Sequence, residues 1–451
     1  MLSMHQISAG RAAGRVVCAL VLCAFLTPSA ASAGPADRGA APGWHGALAS
    51  YLTVGAAAAD TLRRNVRSIL QAWARTPAAP PGARGTAVAT YGAGQSPPPS
   101  EGTSSQPVTG PLSGYMDFHY NNRQNEDAVL DFHRFVLLFS HGFSDRIRFV
   151  AELELEHAVV SNETEGELEL EQAYVDFLIT RGFNVRAGML LTPVGIINER
   201  HEPPVFHGVE RPFVDTVIIP TTWFDAGVGV HGEVGPGVRY RVYAMATLDA
   251  FGFSAEEGLR GGRQKGAESN ARSLAGTGRI EYVGTPGLVL GASLWSGETG
   301  FNTLRFDTSL TLVEFDGRYR LGELEARGQY AHGFLDGMDR LNRAVQRTTG
   351  VSPNVAEEIR GFYLEASYFI LPHPAPKELA AFLRYENFDT QFDMPAGFRP
   401  LREFDRDAWV FGLTYFPDPD VAVKLDYTVL RNQSAVIDAP DSLNLGLGWW
   451  F

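Results

Sequence analysis

The chain ends in Ser442-Leu443-Asn444-Leu445-Gly446-Leu447-Gly448-Trp449-Trp450-Phe451, and this stretch decides the fold class. Successive side chains of a strand point to opposite faces. Leu443, Leu445, Leu447, Trp449 and Phe451 therefore share one face, while Asn444, Gly446 and Gly448 share the other. In a soluble protein such a strand would be an exposed, aggregation-prone edge. In a membrane barrel the apolar face meets lipid and the small or polar face meets a wet lumen.

Upstream the same segregation recurs. Val421, Val423, Leu425, Tyr427 and Val429 alternate with Lys424, Asp426 and Thr428, and Trp409, Phe411, Leu413 and Tyr415 alternate with Gly412 and Thr414. About sixteen segments of this kind run from 112–120 to 442–451, an even number as bacterial barrels require. Their connections alternate between tight and long. Arg181–Gly182, Val234–Pro236 and Pro417–Pro419 are tight; Asn121–Ala128, Ile196–Pro220, Ala250–Ala271 and Gly333–Glu357 are long. Short periplasmic turns and long external loops give that alternation. The expectation is an all-β chain, a transmembrane antiparallel β-barrel of about sixteen strands over 112–451, in the outer membrane of a Gram-negative cell.

The barrel is expected to follow three other segments. Residues 1–33 read as a signal peptide, with Arg11 and Arg15 before the apolar Val16–Leu26 and the cleavable Ala31-Ser32-Ala33. Residues 34–76 read as a helical periplasmic segment, and 77–111 as a Pro/Gly/Ser linker. Both cysteines, Cys18 and Cys23, fall in the leader. Disulfides, thiolate catalysis and Cys-bound zinc are thereby excluded from the mature chain. Without the two leader arginines the net charge moves from −13 to about −15, which argues against a nucleic-acid partner. No apolar run of roughly 18 residues follows the leader, so helical membrane spans are excluded.

Short motifs then add a resemblance. Phe132-His133-Arg134-Phe135, Leu170-Glu171-Gln172-Ala173-Tyr174-Val175-Asp176, and Arg186-Ala187-Gly188 with Thr192-Pro193-Val194-Gly195 and Glu199 occur in order. Ile219-Pro220 with Trp223, Asp225, Gly227, Gly229 and Gly232 follow. Over roughly 112–451 the chain resembles the phosphate-selective porin O/P family. The resemblance implies a sixteen-stranded porin, usually a homotrimer, whose third long loop folds inward to narrow the pore. Here that loop is Ile196–Pro220, carrying Arg200, His201, Glu202, His207, Glu210, Arg211 and Asp215 as candidate constriction residues.

Alternation names the lumen side. Arg134, Arg148, Arg186, Arg239, Arg241, Arg318, Arg327, Arg384, Lys424, Asp176, Glu314 and Asp426 fall on polar faces. A lipid-facing Arg or Lys costs about 2–4 kcal/mol at mid-bilayer, so these should line the pore. Their mixed sign favours weakly selective diffusion of small polar or ionic solutes over a strict phosphate filter. The basic loop Gly258–Lys265, with Arg260, Arg263 and Lys265, reads first as a flexible charged surface loop and second as a contact for anionic solutes or lipopolysaccharide phosphates. Phe451 is the expected recognition signal for the barrel-assembly machinery.

Enzymatic signals are weak. Pro203-Pro204 rules out a zinc helix through His201 and His207, and no Gly-x-Ser-x-Gly elbow is present. The expectation is a passive channel with no catalytic residue, metal or cofactor. The alternative is a structural or adhesive barrel with a blocked lumen, and the packing of the long loops separates the two.

Overall fold

The computed structural model describes residues 112–161, 166–300, 306–371 and 377–451. The expected leader, periplasmic segment and linker, residues 1–111, lie outside the described residues. Sixteen strands follow one another: β1 Leu112–Arg123, β2 Val129–Ser144, β3 Ile147–Glu156, β4 Leu168–Thr180, β5 Phe183–Leu191, β6 Phe224–Val234, β7 Val238–Ala246 and β8 Leu274–Thr285. The second half comprises β9 Leu288–Glu298, β10 Ser309–Leu321, β11 Leu324–Asp336, β12 Glu358–Phe369, β13 Glu378–Asp393, β14 Asp405–Asp418, β15 Val421–Asn432 and β16 Ser442–Trp450.

Each strand pairs antiparallel with its sequence neighbours, and β1 pairs with β16, closing the barrel. In that seam Asp117 opposes Gly448 and Tyr115 opposes Trp450. Phe451 completes it: Gly114 N–H donates to the Phe451 carbonyl at 3.0 Å, and Phe451 N–H donates to the Gly114 carbonyl at 2.9 Å. No unpaired strand edge is left in this ring.

The two faces of the wall separate as the alternation requires. Outward residues such as Phe411, Leu425 and Leu445 stay exposed to the bilayer, whereas Lys424, Asp426 and Asn444 are buried inside. This apolar exterior around a closed sheet is that of an outer-membrane barrel.

The interior departs from a uniformly polar lumen. In the half nearest the long loops, β10–β12 turn Leu310, Leu312, Leu335 and Ile359 inward. They form one apolar cluster with Val214, Ile218, Ile219 and Trp223 of the 192–223 connection and with Leu248, Phe253 and Leu259 of the next long loop. Helix α1, Met338–Thr349, lies within the sixth long connection and adds Met338 and Leu341. The sequence reading treated Gly333–Glu357 only as a loop. Its helix signal is the spacing of Met338, Leu341 and Val345 along one face. Gly350 ends α1 in a left-handed conformation, φ 84°, and its N–H caps the Gln346 carbonyl at 2.9 Å. Asn342 holds the returning chain, donating to the Val355 carbonyl at 2.8 Å and accepting from Val355 N–H at 2.9 Å.

Candidate functional site: the loop inside the barrel

The connection between β5 and β6 does not stand out into solvent. It enters the barrel and touches its wall on several sides. Near its start, Ile196 N–H donates to Gln329 Oε1 of β11 at 2.9 Å. Glu199 receives the Arg241 guanidinium of β7 at 2.9 Å. His201 reaches Glu171 of β4, 3.1 Å away. The Val205 carbonyl accepts from Arg327 of β11 at 3.2 Å, and the His207 carbonyl accepts from Arg384 of β13 at 3.1 Å. Gly208 and Val209 then meet β15, through Lys424 Nζ at 2.7 Å and Asp426 Oδ2 at 2.6 Å. Glu210 arrives beside β1, where Asn121 Nδ2 donates to it at 3.0 Å. Val214 N–H ends on Glu386 of β13 at 3.2 Å.

This path divides the loop's side chains. Ile197, His201, Phe206, His207, Val209, Val214 and Asp215 pack away from water. Arg200, Glu202 and Arg211 are only half-buried, and the Glu210 side chain is 49% exposed. His207 is packed between Thr414 Oγ1, 3.1 Å from Nδ1, and the stacked Phe382 ring. Burial holds its imidazole down to about 4, Glu365 opposing that shift, so the ring is neutral at physiological pH. His201 and His207 diverge to opposite walls and share no ligand.

Of the wall charges named from alternation, Arg134, Arg186, Arg241, Arg327, Arg384, Lys424, Asp176, Glu314 and Asp426 are buried, Arg239 and Arg318 are half-buried and Arg148 is exposed; most are paired. Arg384 bonds Glu386 at 2.8 Å and Glu365 at 3.1 Å; Arg327 bonds Glu325 at 2.8 Å and lies 3.3 Å from Glu365. Arg186 bonds Asp176 at 2.7 Å, Arg148 reaches the same carboxylate at 3.3 Å, and Arg241 also lies 3.3 Å from Glu281. Arg318 pairs with Glu325 at 3.1 Å, and Arg134 with Glu154 at 3.5 Å. Arg239 stands opposite Glu233 in the β6–β7 register. Glu314 accepts from Ser293 at 2.7 Å, and Asp426 accepts from Asn444 at 2.7 Å. Lys424 lies 3.9 Å from the centre of the Phe206 ring.

Sequence reading missed the busiest of these groups. Arg279 of β8 reaches Glu281 at 2.9 Å, Asp316 at 2.5 Å and Glu314 at 3.3 Å. Its signal was present in Thr277-x-Arg279-x-Glu281, a polar period-two run. The basic loop is a correction. Arg260 and Arg263 turn inward and donate to the Thr221 and Thr222 carbonyls, and Lys265 pairs with Glu167 and Glu169. These cations are occupied fastening one loop to another and to β4, because the carbonyls at the start of β6 would otherwise be buried without donors.

A closed sixteen-stranded wall, an apolar outer belt and a charged interior crossed by a long loop define a porin-type outer-membrane barrel. No protein-family model matches the chain. The chain belongs to the same family as a protein of Aquifex aeolicus (strain VF5) described as uncharacterized, with 34% identity over 335 residues, 70% of this chain and 74% of the relative. Among solved structures it is similar to Salmonella typhi OmpF in complex with daunomycin, with TM-score 0.53 and 11% identity over 75% of this chain and 97% of that one. It is also similar to the outer-membrane channel DcaP of Acinetobacter baumannii, with TM-score 0.51 and 12% identity over 75% and 96%. At these identities the likeness is one of fold.

Proposed function

We propose that the barrel is a porin through which small polar or ionic solutes diffuse, with the 192–223 loop as its narrowest point. One observation carries this reading: the loop packs its apolar residues against the wall and leaves Arg200, Glu202, Glu210 and Arg211 partly accessible inside. Groups of both signs along one loop make no ladder of a single sign, which favours dipolar and weakly charged solutes over one ion class. The resemblance to phosphate-selective porins suggests anions as cargo. The pairing of wall arginines with carboxylates argues for a mild preference rather than a strict one. A homotrimer, recognition of Phe451 by the barrel-assembly machinery and an outer rim in lipopolysaccharide belong to the same proposal.

A second reading, a structural or adhesive barrel, draws support from the apolar cluster that three long connections build inside the wall. Single-channel recording of the purified mature protein separates the two. The porin reading expects stable conductance steps, and a reversal potential that moves toward cation preference in Arg200→Ala/Arg211→Ala. A well-folded, heat-modifiable barrel that never conducts, with or without those arginines, would leave the structural reading standing.

A further inference from the structure

Where the loop meets β3 and β4, three potential metal ligands converge. Glu152 and Glu171 project inward from neighbouring strands, and His201 comes from the loop; all three are buried. One ligand atom of each lies within 4.8 Å of the others. Ligands around a tetrahedral divalent cation stand about 3.4 Å apart, given metal–ligand bonds of about 2.0–2.1 Å, so small side-chain adjustments suffice.

The imidazole is already oriented for the task. His201 Nδ1 lies 3.1 Å from the Asn198 carbonyl, which can only accept, so Nδ1 carries the proton. Nε2 faces Glu171 Oε2, 3.1 Å away, a pair that holds either a proton or a metal ion between its two atoms. A lone pair facing a carboxylate in a dry site needs a cation or a proton between them. A histidine whose second nitrogen is fixed by a backbone carbonyl is the usual arrangement of a metal ligand. Gln172 Nε2 donates to Glu152 Oε2 at 2.5 Å and steadies the second carboxylate.

Independent of these three residues, buried polar atoms around them lack partners. The Tyr115 hydroxyl is one, on a residue 1% exposed whose ring meets His201 edge-on at 6.2 Å. It lies within electrostatic reach of Glu152, Glu154 and Glu171. Glu154 Oε2, two residues along the same inward face, is another. Such groups normally find partners, and an ion carrying a water ligand would supply them. Glu152, Glu154, Glu171 and Glu202 share this region with the guanidiniums Arg134, Arg211 and Arg263.

We propose that Glu152, Glu171 and His201 bind a first-row divalent cation, zinc foremost, which ties the inward loop to the β3–β4 wall. Imidazole with carboxylates suits that class of metal. The sequence expectation was no metal, because Pro203-Pro204 forbids a zinc helix through His201 and His207; the fold instead recruits carboxylates from two strands. The neighbouring trio Asp131, His133 and His157 offers a built-in contrast. There Arg134 Nη2 donates to His133 Nε2 at 2.8 Å, so His133 keeps its proton on Nδ1 and gives it to Asp131 at 3.1 Å. That nitrogen has no lone pair to offer.

The test is metal binding by the folded barrel in detergent, stripped with chelator and equilibrated with Zn²⁺, and it does not depend on conduction. The expected result is one zinc per chain, weakened at least tenfold in His201→Ala and in Glu152→Gln/Glu171→Gln and unchanged in His157→Ala. If His201→Ala does not fold, the visible spectrum of bound Co²⁺ replaces it: His201→Cys should add a sulfur-to-cobalt band. Absence of binding at millimolar Zn²⁺ would overturn the proposal. So would equal binding without His201, loss of binding in His157→Ala, or a cobalt spectrum indifferent to His201→Cys.

Discussion

Pro203 lies against the inward face of β16 at Gly448, so closely that a Cβ added at Gly448 would stand 2.3 Å from Pro203 Cβ. Pro203 belongs to a loop rooted between β5 and β6, and Gly448 is three residues from the end of the chain. The contact therefore records how far the loop crosses the lumen. Gly446 makes similar room, since its added Cβ would meet Val209 Cγ1 at 3.1 Å. Glycines on this strand shape the bed on which the loop rests.

Replacing Gly448 by leucine should lift the loop from β16 without breaking the wall. Overpacking of this kind costs about 1–3 kcal/mol. Single-channel conductance should change in step size or open-time noise relative to wild type, while heat-modifiable mobility on gels persists. An unchanged conductance would place the limiting aperture elsewhere.

Arg384 joins two wall carboxylates to the His207 carbonyl, all buried. Arg384→Ala leaves Glu365 and Glu386 without that cation, a loss of about 3–5 kcal/mol. Its thermal unfolding should fall below that of wild type, and adding Glu386→Gln should recover part of the loss. Additive destabilisation by the second substitution would contradict the pairing.

Asp215 provides a pH dependence. It is fully buried in the loop, with Gln329 Nε2 donating to its Oδ1 at 2.9 Å and Oδ2 unpartnered. Burial pushes its carboxyl up to about 7; Gln329 and Arg384 oppose the shift, and Glu386 and Asp316 add to it. The folded loop therefore keeps a proton that the unfolded loop gives up near 3.8. Loop stability is then highest below about pH 4, declines as pH rises, and levels off above about pH 7. Hydrogen-exchange protection of the 213–219 amides, corrected for intrinsic rates, should drop across that window and stay flat in Asp215→Asn.

Asn342 is the clasp between α1 and the segment that returns to β12. Asn342→Ala strands the Val355 N–H and carbonyl in a buried site, at about 1–3 kcal/mol per unsatisfied group. Limited proteolysis should then cut within 350–357 well before the barrel itself unfolds.

The wall was legible because its two faces meet different solvents. Leu443 to Phe451 and Val421 to Val429 could be assigned face by face from residue type alone, as could the inward Arg384 and Lys424. The filling of the lumen was not legible in the same way. Val214, Ile218 and Ile219 look like any apolar loop residues, and nothing in the loop's own sequence names the wall they pack on. A clue did exist in β10, where Leu310 and Leu312 point inward while Val313 and Phe315 point outward. A strand apolar on both faces cannot have water on either side of that stretch. The convergence of Glu152, Glu171 and His201 lay further out of reach, because it depends on where the loop crosses.

The paired backbone bonds between Gly114 and Phe451 set a condition on biogenesis. The first strand must wait for the last, across more than three hundred intervening residues, so closure is the longest-range event in folding and falls at the slow end of topological scaling. Until β16 arrives, β1 presents one bare edge to any passing chain. A chain clipped short of β16, whose Ser442–Trp450 ladder pairs with β1, would thus yield an open, sticky sheet rather than a slightly smaller pore.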